Sequence, residues 1–358
     1  MKNLDFSFRL ASRWLLTFGF LAASSVTNSV LAQNDVKLTQ QGGKVTVTVG
    51  GKAFTQYLFG TDELKGCKKP VLFPILTSGQ TPVTRGYPLQ PRPNERVDHP
   101  HHVGAWFNYG DVNGHDFWNN SADIGPDHKG LFGTIVHTGI VKMKSGKRRG
   151  ELTATADWLD TNGKPLLRET TAFLFSTEGE AVRLIDRTTT LTALEKEVVF
   201  KDNKEGLVAV RVARQLEHPS KQPEIFTDAS GKATAVPTLD NTGVTGRYRN
   251  SEGIEGDDAW GKRARWVNLT GRIGSEDVSV AIIDHPKNTG YPTYWHARGY
   301  GLFAANPLGP SVFSGGKDAP MNFTLPAGKS VTFRYRIAVA ARKLTDEEVN
   351  RLAAAFGE

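Results

Sequence analysis

Short alternating runs of apolar and polar residues, punctuated by Gly, Pro, Asn or Asp, recur along most of the chain. Lys44 to Val49 precede Gly50-Gly51, Leu152 to Trp158 precede Asp160-Thr161-Asn162-Gly163, and Ala181 to Asp186 continue into Thr188 to Leu191. A period of two rich in β-branched residues puts successive side chains on opposite faces and predicts half-buried antiparallel strands. Asn162-Gly163 predicts a hairpin turn. Leu207 to Val212, Val278 to Ile283 and Ser330 to Val339 repeat the pattern. Helical periodicity stands out in Thr345 to Phe356, with Thr345 as N-cap and Glu348 as its capping-box partner. Evenly spaced strands over roughly 300 residues predict an all-β fold, a large two-sheet antiparallel β-sandwich with a short C-terminal helix. No linker or repeat divides it, so residues 33–358 read as a single domain. Pro70 to Arg96 holds too many prolines for central strands and is expected to run irregularly over the surface.

The first residues follow another pattern. Lys2, Arg9 and Arg13 precede an apolar run from Trp14 to Ala23, and Val30-Leu31-Ala32 supplies cleavage-site residues ahead of Gln33. Residues 1–32 therefore read as a signal peptide, and the mature protein as exported, periplasmic or extracellular. A bilayer span needs roughly 20 apolar residues, and no later segment approaches that, so no integral membrane segment is expected after cleavage.

Charge and cysteine content narrow the chemistry. With 44 Lys+Arg against 37 Asp+Glu the chain is mildly basic. The cluster of Lys142, Lys144, Lys147, Arg148 and Arg149 reads as a solvated hairpin tip, and no nucleic-acid partner is expected. Cys67 is the one cysteine, which excludes an intramolecular disulfide and a thiolate-rich zinc site. No dinucleotide fingerprint, phosphate loop or nucleophile elbow occurs, so no cofactor is predicted. A divalent metal held by His and carboxylates is the remaining option.

Polar chemistry concentrates in Asp98-His99-Pro100-His101-His102 and the following Trp106, Asp111, His115, Asp116 and Trp118; of nine His, four lie between 99 and 115. Two readings stay open on spacing alone. The imidazoles bind a divalent metal, with His99, His101 and His285 as the set, or one acts as acid and base beside an orienting carboxylate. Asp-His-Pro occurs again at Asp284-His285-Pro286, at the end of an apolar strand. His296 and Arg298, two apart, share a strand face suited to a carboxylate or a polyhydroxylated ligand. The stretch from Gly253 to Trp266 sets acids beside aromatics and reads either as a rim or as a charged loop entering a strand at Trp266.

At these residues the chain resembles the exported bacterial proteins of the DUF6807 family, often labelled PmoA family. The resemblance rests on Asp98-His99-Pro100-His101-His102-x-Gly104-x-Trp106-Phe107, Gly110-Asp111-Val112-Asn113-Gly114-x-Asp116-Phe117-Trp118, Trp260-Gly261-Lys262-Arg263-Ala264-x-Trp266 and Asn306-Pro307-Leu308-Gly309, and covers about residues 40–341. Val103 departs from the pattern, where Arg is common. The label denotes a multi-span membrane subunit, which a chain without a spanning segment does not fit. The resemblance implies a galactose-mutarotase-like supersandwich and a sugar-degrading context.

Together these readings give an exported carbohydrate-active protein, a His/carboxylate acid–base enzyme acting on a sugar or sugar derivative as epimerase, lyase or hydrolase. Its catalytic candidates are His101 and His102 with Asp98 or Asp111. Its substrate-binding candidates are His99, Trp106, Asp116, Trp118, His285, His296, Arg298 and Asn306. A non-catalytic carbohydrate-binding module and a His-rich metal protein or oxidase are the alternatives.

Overall fold

The computed structural model describes Met1 and residues 35–124 and 131–358. The signal-peptide reading of residues 1–32 falls, but for Met1, outside the described residues.

Two large antiparallel sheets carry the fold, as the alternation predicts. One has nine strands in the spatial order Tyr294–Arg298, Leu302–Asn306, Gly206–Arg211, Ala105–Tyr109, Val71–Leu72, Lys52–Leu58, Lys44–Val49, Asp35–Gln41 and Gly146–Lys147. The other has eight: Arg247–Asn250, Trp266–Ile273, Glu276–Asp284, Ser330–Ala340, Val182–Ala193, Pro165–Glu178, Arg149–Leu159 and Thr134–Lys144. The Asn162-Gly163 turn joins two of these strands, with Gly163 at φ 79° and Asp160 Oδ1 accepting from the backbone N–H of Asn162 and Lys164. The sheets face each other. Phe107 of the first lies 6.4 Å from Trp158 and 6.2 Å from Phe333 of the second, and Phe54 meets Phe175 edge-on at 6.2 Å. Each fully buried ring of this kind contributes about 1.5–3 kcal/mol. One continuous apolar core draws on residues from Val36 to Val339.

A charged pair sits inside that core. Arg187 Nη2 donates to Glu169 Oε1 at 2.7 Å, Trp158 Nε1 donates to Glu169 Oε2 at 2.9 Å, and the Arg187 guanidinium lies over Phe107 at 4.9 Å. Hydrogen bonds on both partners make the burial tolerable.

The C-terminal helix, Asp346–Gly357, closes the chain against the eight-stranded sheet. Thr345 accepts from the Glu348 backbone N–H at 3.3 Å, and Glu348 Oε2 accepts from the Thr345 N–H at 2.9 Å, the expected capping box. Among the described residues no helix is long and apolar enough to cross a membrane, a finding that concerns helices alone.

What positions the site is the outer face of the nine-stranded sheet. Along Ala105–Tyr109, Phe107 enters the core between the sheets while Trp106 turns outward into a second apolar cluster. The same alternation turns Ala209, Ala304, His296 and Arg298 outward while Val208, Val210, Phe303, Trp295 and Ala297 face the core. Strand register aligns His296, Ala304, Ala209 and Trp106 in one row across the sheet. The 73–104 segment covers this face through Phe73, Leu89 and Val103, but the expectation that Pro70 to Arg96 stays out of central strands fails at Val71–Leu72, a proline-free pair that lies between Lys52–Leu58 and Ala105–Tyr109.

Candidate functional site

The loop Asp98-His99-Pro100-His101-His102 enters the sheet just before Ala105–Tyr109. The His102 N–H donates to the His99 carbonyl at 3.0 Å, closing a tight turn with Pro100 pre-set for its second position. His99 sits at φ 45°, in the left-handed region that a non-glycine residue occupies at a cost. Two residues beyond the turn, Gly104 adopts φ 58°, and a Cβ there would stand 2.2 Å from the Leu72 carbonyl oxygen of the neighbouring strand.

Asp98 is the hub. Its Oδ1 accepts from Arg85 Nη1 at 2.8 Å and from Arg211 Nη2 at 2.6 Å, and its Oδ2 accepts from His99 Nδ1 at 2.6 Å. Burial alone would raise this carboxyl, but Arg211, the His99 hydrogen bond and Arg85 together hold it well below the carboxylate range. Arg85, itself buried, also donates to the carbonyls of Asp98, His99 and His102 and so pins the loop. Burial, followed by the nearby Arg211 charge, lowers its guanidinium to about 9. With Nδ1–H committed to Asp98, His99 Nε2 is left without a partner among the described residues, on a side chain 43 % exposed.

Four rings stack in sequence. His99 lies parallel to Tyr300 at 5.2 Å and to His102 at 4.8 Å, and His102 lies over Trp106 at 5.2 Å. Alanines at 209 and 304, fully buried under this array, let the rings approach the sheet. Burial pushes the Tyr300 hydroxyl up to about 12.

His102 is enclosed. Trp118 Nε1 donates to its Nε2 at 3.1 Å, and Arg211 Nη1 stands 3.3 Å from its Nδ1. The indole only donates, so Nε2 is the acceptor of this ring and its one proton sits on Nδ1; a second proton, on Nε2, would set N–H against the indole N–H. Burial, then His101 and Arg211, drives its pKa far down. His101 is also buried, its Nε2 has no partner among the described residues, and burial followed by Lys69 lowers it to about 2. Lys69, buried beneath, donates to the His101 carbonyl at 2.8 Å and lies 5.4 Å over Trp106.

Several sequence expectations are corrected here. His101 and His102 stay neutral and walled in, and the open imidazole paired to a carboxylate is His99. Asp111 lies beyond the far end of Ala105–Tyr109, where its Oδ1 accepts from the Gly114 N–H, so it orients none of the three histidines. Trp106 and Trp118 are buried under His102 and present no face for stacking. Asp116 caps a turn by accepting from the backbone of Trp118 and Asn119. Asn306 is fully buried and spends its amide on the Asn203 carbonyl and the Leu308 N–H. His285 packs at 5.0 Å on Phe356 of the C-terminal helix and accepts from the Lys287 N–H. The metal set His99, His101 and His285 is therefore not assembled, and among the described residues no group of three His, Cys, Asp or Glu is placed to hold a metal ion. Val103 is buried in the apolar cluster beside Trp106.

His296 and Arg298 do reach this face. His296 Nδ1 donates to the Lys204 carbonyl at 3.2 Å, and burial, then Arg298, lowers it to about 3. The Arg298 guanidinium lies against both Trp260 and Tyr300, at 5.8 and 5.9 Å from their ring centres. It borders a groove of about 470 Å³ that Trp260, Tyr300, His218 and Asp257 also line. The Gly253 to Trp266 stretch is thus both rim and strand entry, since a strand starts at Trp266.

Three residues escaped sequence reasoning: Arg85, Arg211 and His218. His218 Nδ1 donates to Asp257 Oδ1 at 3.0 Å, a second imidazole–carboxylate pair. Glu217-His218-Pro219 is a third acid-His-Pro triplet and could have flagged it.

Residues 44–354 match the model of a family described as "Family of unknown function (DUF6807)". No curated protein matches the chain. A solved structure titled "Crystal Structure Analysis of HI1317" is similar over 85% of this chain and 99% of its own, at 9% identity and a TM-score of 0.27, a likeness that bears on no functional question.

Proposed function

The chain belongs to the DUF6807 family, and we propose that this member is an exported acid–base enzyme acting on a sugar or sugar derivative, with His99 as the proton-transfer group. The observation that carries the proposal is the Asp98–His99 pair at 2.6 Å. A partly exposed carboxylate fixed by two arginines takes the Nδ1–H of the imidazole, which leaves Nε2 as the proton acceptor. Protonated in the first half of a reaction, the same nitrogen returns the proton in the second. Tyr300 and His102 clamp the ring from both sides, so it is oriented before substrate arrives.

A polyhydroxylated substrate is supported by the polar groove that Tyr300, the stacking partner of this ring, lines, and by the resemblance of the histidine motif to proteins of sugar-degrading contexts. Export rests on the residue pattern of 1–32. Epimerisation, elimination and hydrolysis all use such a base, and a panel of mono- and oligosaccharides followed by NMR distinguishes them. Turnover by the wild type that His99→Asn abolishes, with unchanged thermal unfolding, supports the reading. Ligand-induced shifts without turnover in either protein would replace it with a binding module.

A further inference from the structure

We infer that the groove bordered by Arg298 takes the carboxylate of an acidic sugar, so that the substrate class is a uronate or a related sugar acid. This rests on the sugar reading above and specifies it.

The argument begins with uncompensated charge. Five charged side chains line the groove: Arg96, Lys221, Glu224, Asp257 and Arg298. Arg96 is paired to Glu217 at 2.7 Å and to Glu224 at 2.6 Å, and Asp257 is engaged by His218. That leaves the two cations Lys221 and Arg298 without a carboxylate among the described residues. Asp257 keeps its charge, since burial favours the neutral form of His218, so three cations face two carboxylates and an anion entering the groove meets net positive charge.

Arg298 is also shaped for the task. Its guanidinium lies 5.8 Å from the Trp260 ring centre and 5.9 Å from that of Tyr300, cation–π contacts that draw the side chain toward the groove without using its N–H groups. No hydrogen bond from this side chain is formed within the described residues, which leaves the fork free for the bidentate geometry that a carboxylate matches. A second, independent feature points the same way. Trp260 Nε1 is buried with no acceptor among the described residues, an N–H donor in a groove-lining side chain. Native proteins rarely leave such a donor unpaired. Tyr300 joins the groove to the proposed proton-transfer ring, since His99 stacks on it in parallel. A substrate anchored at Arg298 is therefore held beside His99 through one shared aromatic.

The test is a calorimetric or NMR titration of the full chain with D-glucuronate and D-galacturonate against D-glucose and D-galactose, at low and at 0.5 M salt. Wild type should bind one uronate at least about tenfold more tightly than its neutral counterpart, the gain expected of one charge-assisted bidentate pair. High salt should weaken that preference. Arg298→Gln should erase it with thermal unfolding in place, and Arg298→Lys should restore only part of it. Uronate preference that survives in Arg298→Gln overturns the inference, as does binding of neither probe. Neutral sugars binding as well as uronates would overturn it too, while leaving the sugar reading intact. Conversely, tight uronate binding that His99→Asn leaves unchanged, with no turnover by wild type, would keep the anchor and remove the enzyme reading.

Discussion

Trp118 Nε1 donates to His102 Nε2 at 3.1 Å, while on the opposite edge of the same ring Arg211 Nη1 stands 3.3 Å from Nδ1. With Nε2 held as acceptor by the indole and a guanidinium charge beside Nδ1, the ring has no room for a second proton, and it shares this neutrality with His101 and His296, which burial lowers to about 2 and about 3.

Acid should therefore destabilise the protein. In the unfolded chain a histidine takes up a proton near pH 6.5, whereas these folded rings do not, so stability is full above that pH and falls as pH drops below it. For His101 alone the loss between pH 7 and pH 5 amounts to about 2 kcal/mol. Asp284, which burial raises to about 7, works in the opposite direction, losing stability as pH rises through that value. The useful quantity is consequently a difference. Urea denaturation at both pH values should show that His101→Asn loses about 2 kcal/mol less than wild type on acidification; identical losses would contradict the assignment.

Asp98 and His99 should separate in stability. Asp98→Asn leaves Arg85 and Arg211 buried with no anionic partner at this hub, and is expected to cost about 3–5 kcal/mol in denaturant midpoints. His99→Asn keeps a residue tolerant of φ 45° at a half-exposed position and should change stability by less than about 1 kcal/mol. That silent variant is expected to lose about 10²–10⁴ in turnover of the NMR-identified substrate.

Gly104→Ala should perturb the histidine loop from beneath. Its φ of 58° and the 2.2 Å approach of a new Cβ to the Leu72 carbonyl predict a loss of more than about 1 kcal/mol. Heteronuclear NMR should place the largest shifts at 98–106. A variant as stable as wild type, with shifts confined to its own neighbours, would contradict this packing.

Removing one member of the core pair should cost more than removing both. Glu169→Leu strands the Arg187 guanidinium between the sheets and is expected to lose about 3–5 kcal/mol, whereas Glu169→Leu with Arg187→Met should recover a large part of it. A double variant less stable than the single one would show that the pair contributes more than mutual neutralisation.

Much of the architecture was legible because its signals are local. The alternation in Lys44 to Val49 and Ser330 to Val339, the Asn162-Gly163 turn and the Thr345–Glu348 box each reside within a dozen residues, and each was formed as read. The site was legible only as a neighbourhood. Asp98 could be named from sequence, but its partners Arg85 and Arg211 are 13 and 113 positions away and carry no local mark. Composition likewise could not tell a stacking tryptophan from a buried one, and Trp106 and Trp118 proved to be floor. The repeated Asp-His-Pro misled for a related reason. His99 and His285 share a triplet, yet one sits on the outer face of the nine-stranded sheet and the other against the C-terminal helix.

The Asp98 hub also constrains how such a chain can evolve. One carboxylate ties a loop, Arg85 and a strand residue, Arg211, into a single electrostatic unit; replacing Asp98 strands two buried guanidiniums, whereas replacing either arginine leaves the carboxylate its other partner. A stepwise path therefore has an order, an arginine before the carboxylate, so across a lineage Asp98 should outlast its partners, while Arg298, exposed at the groove, is free to drift with the substrate.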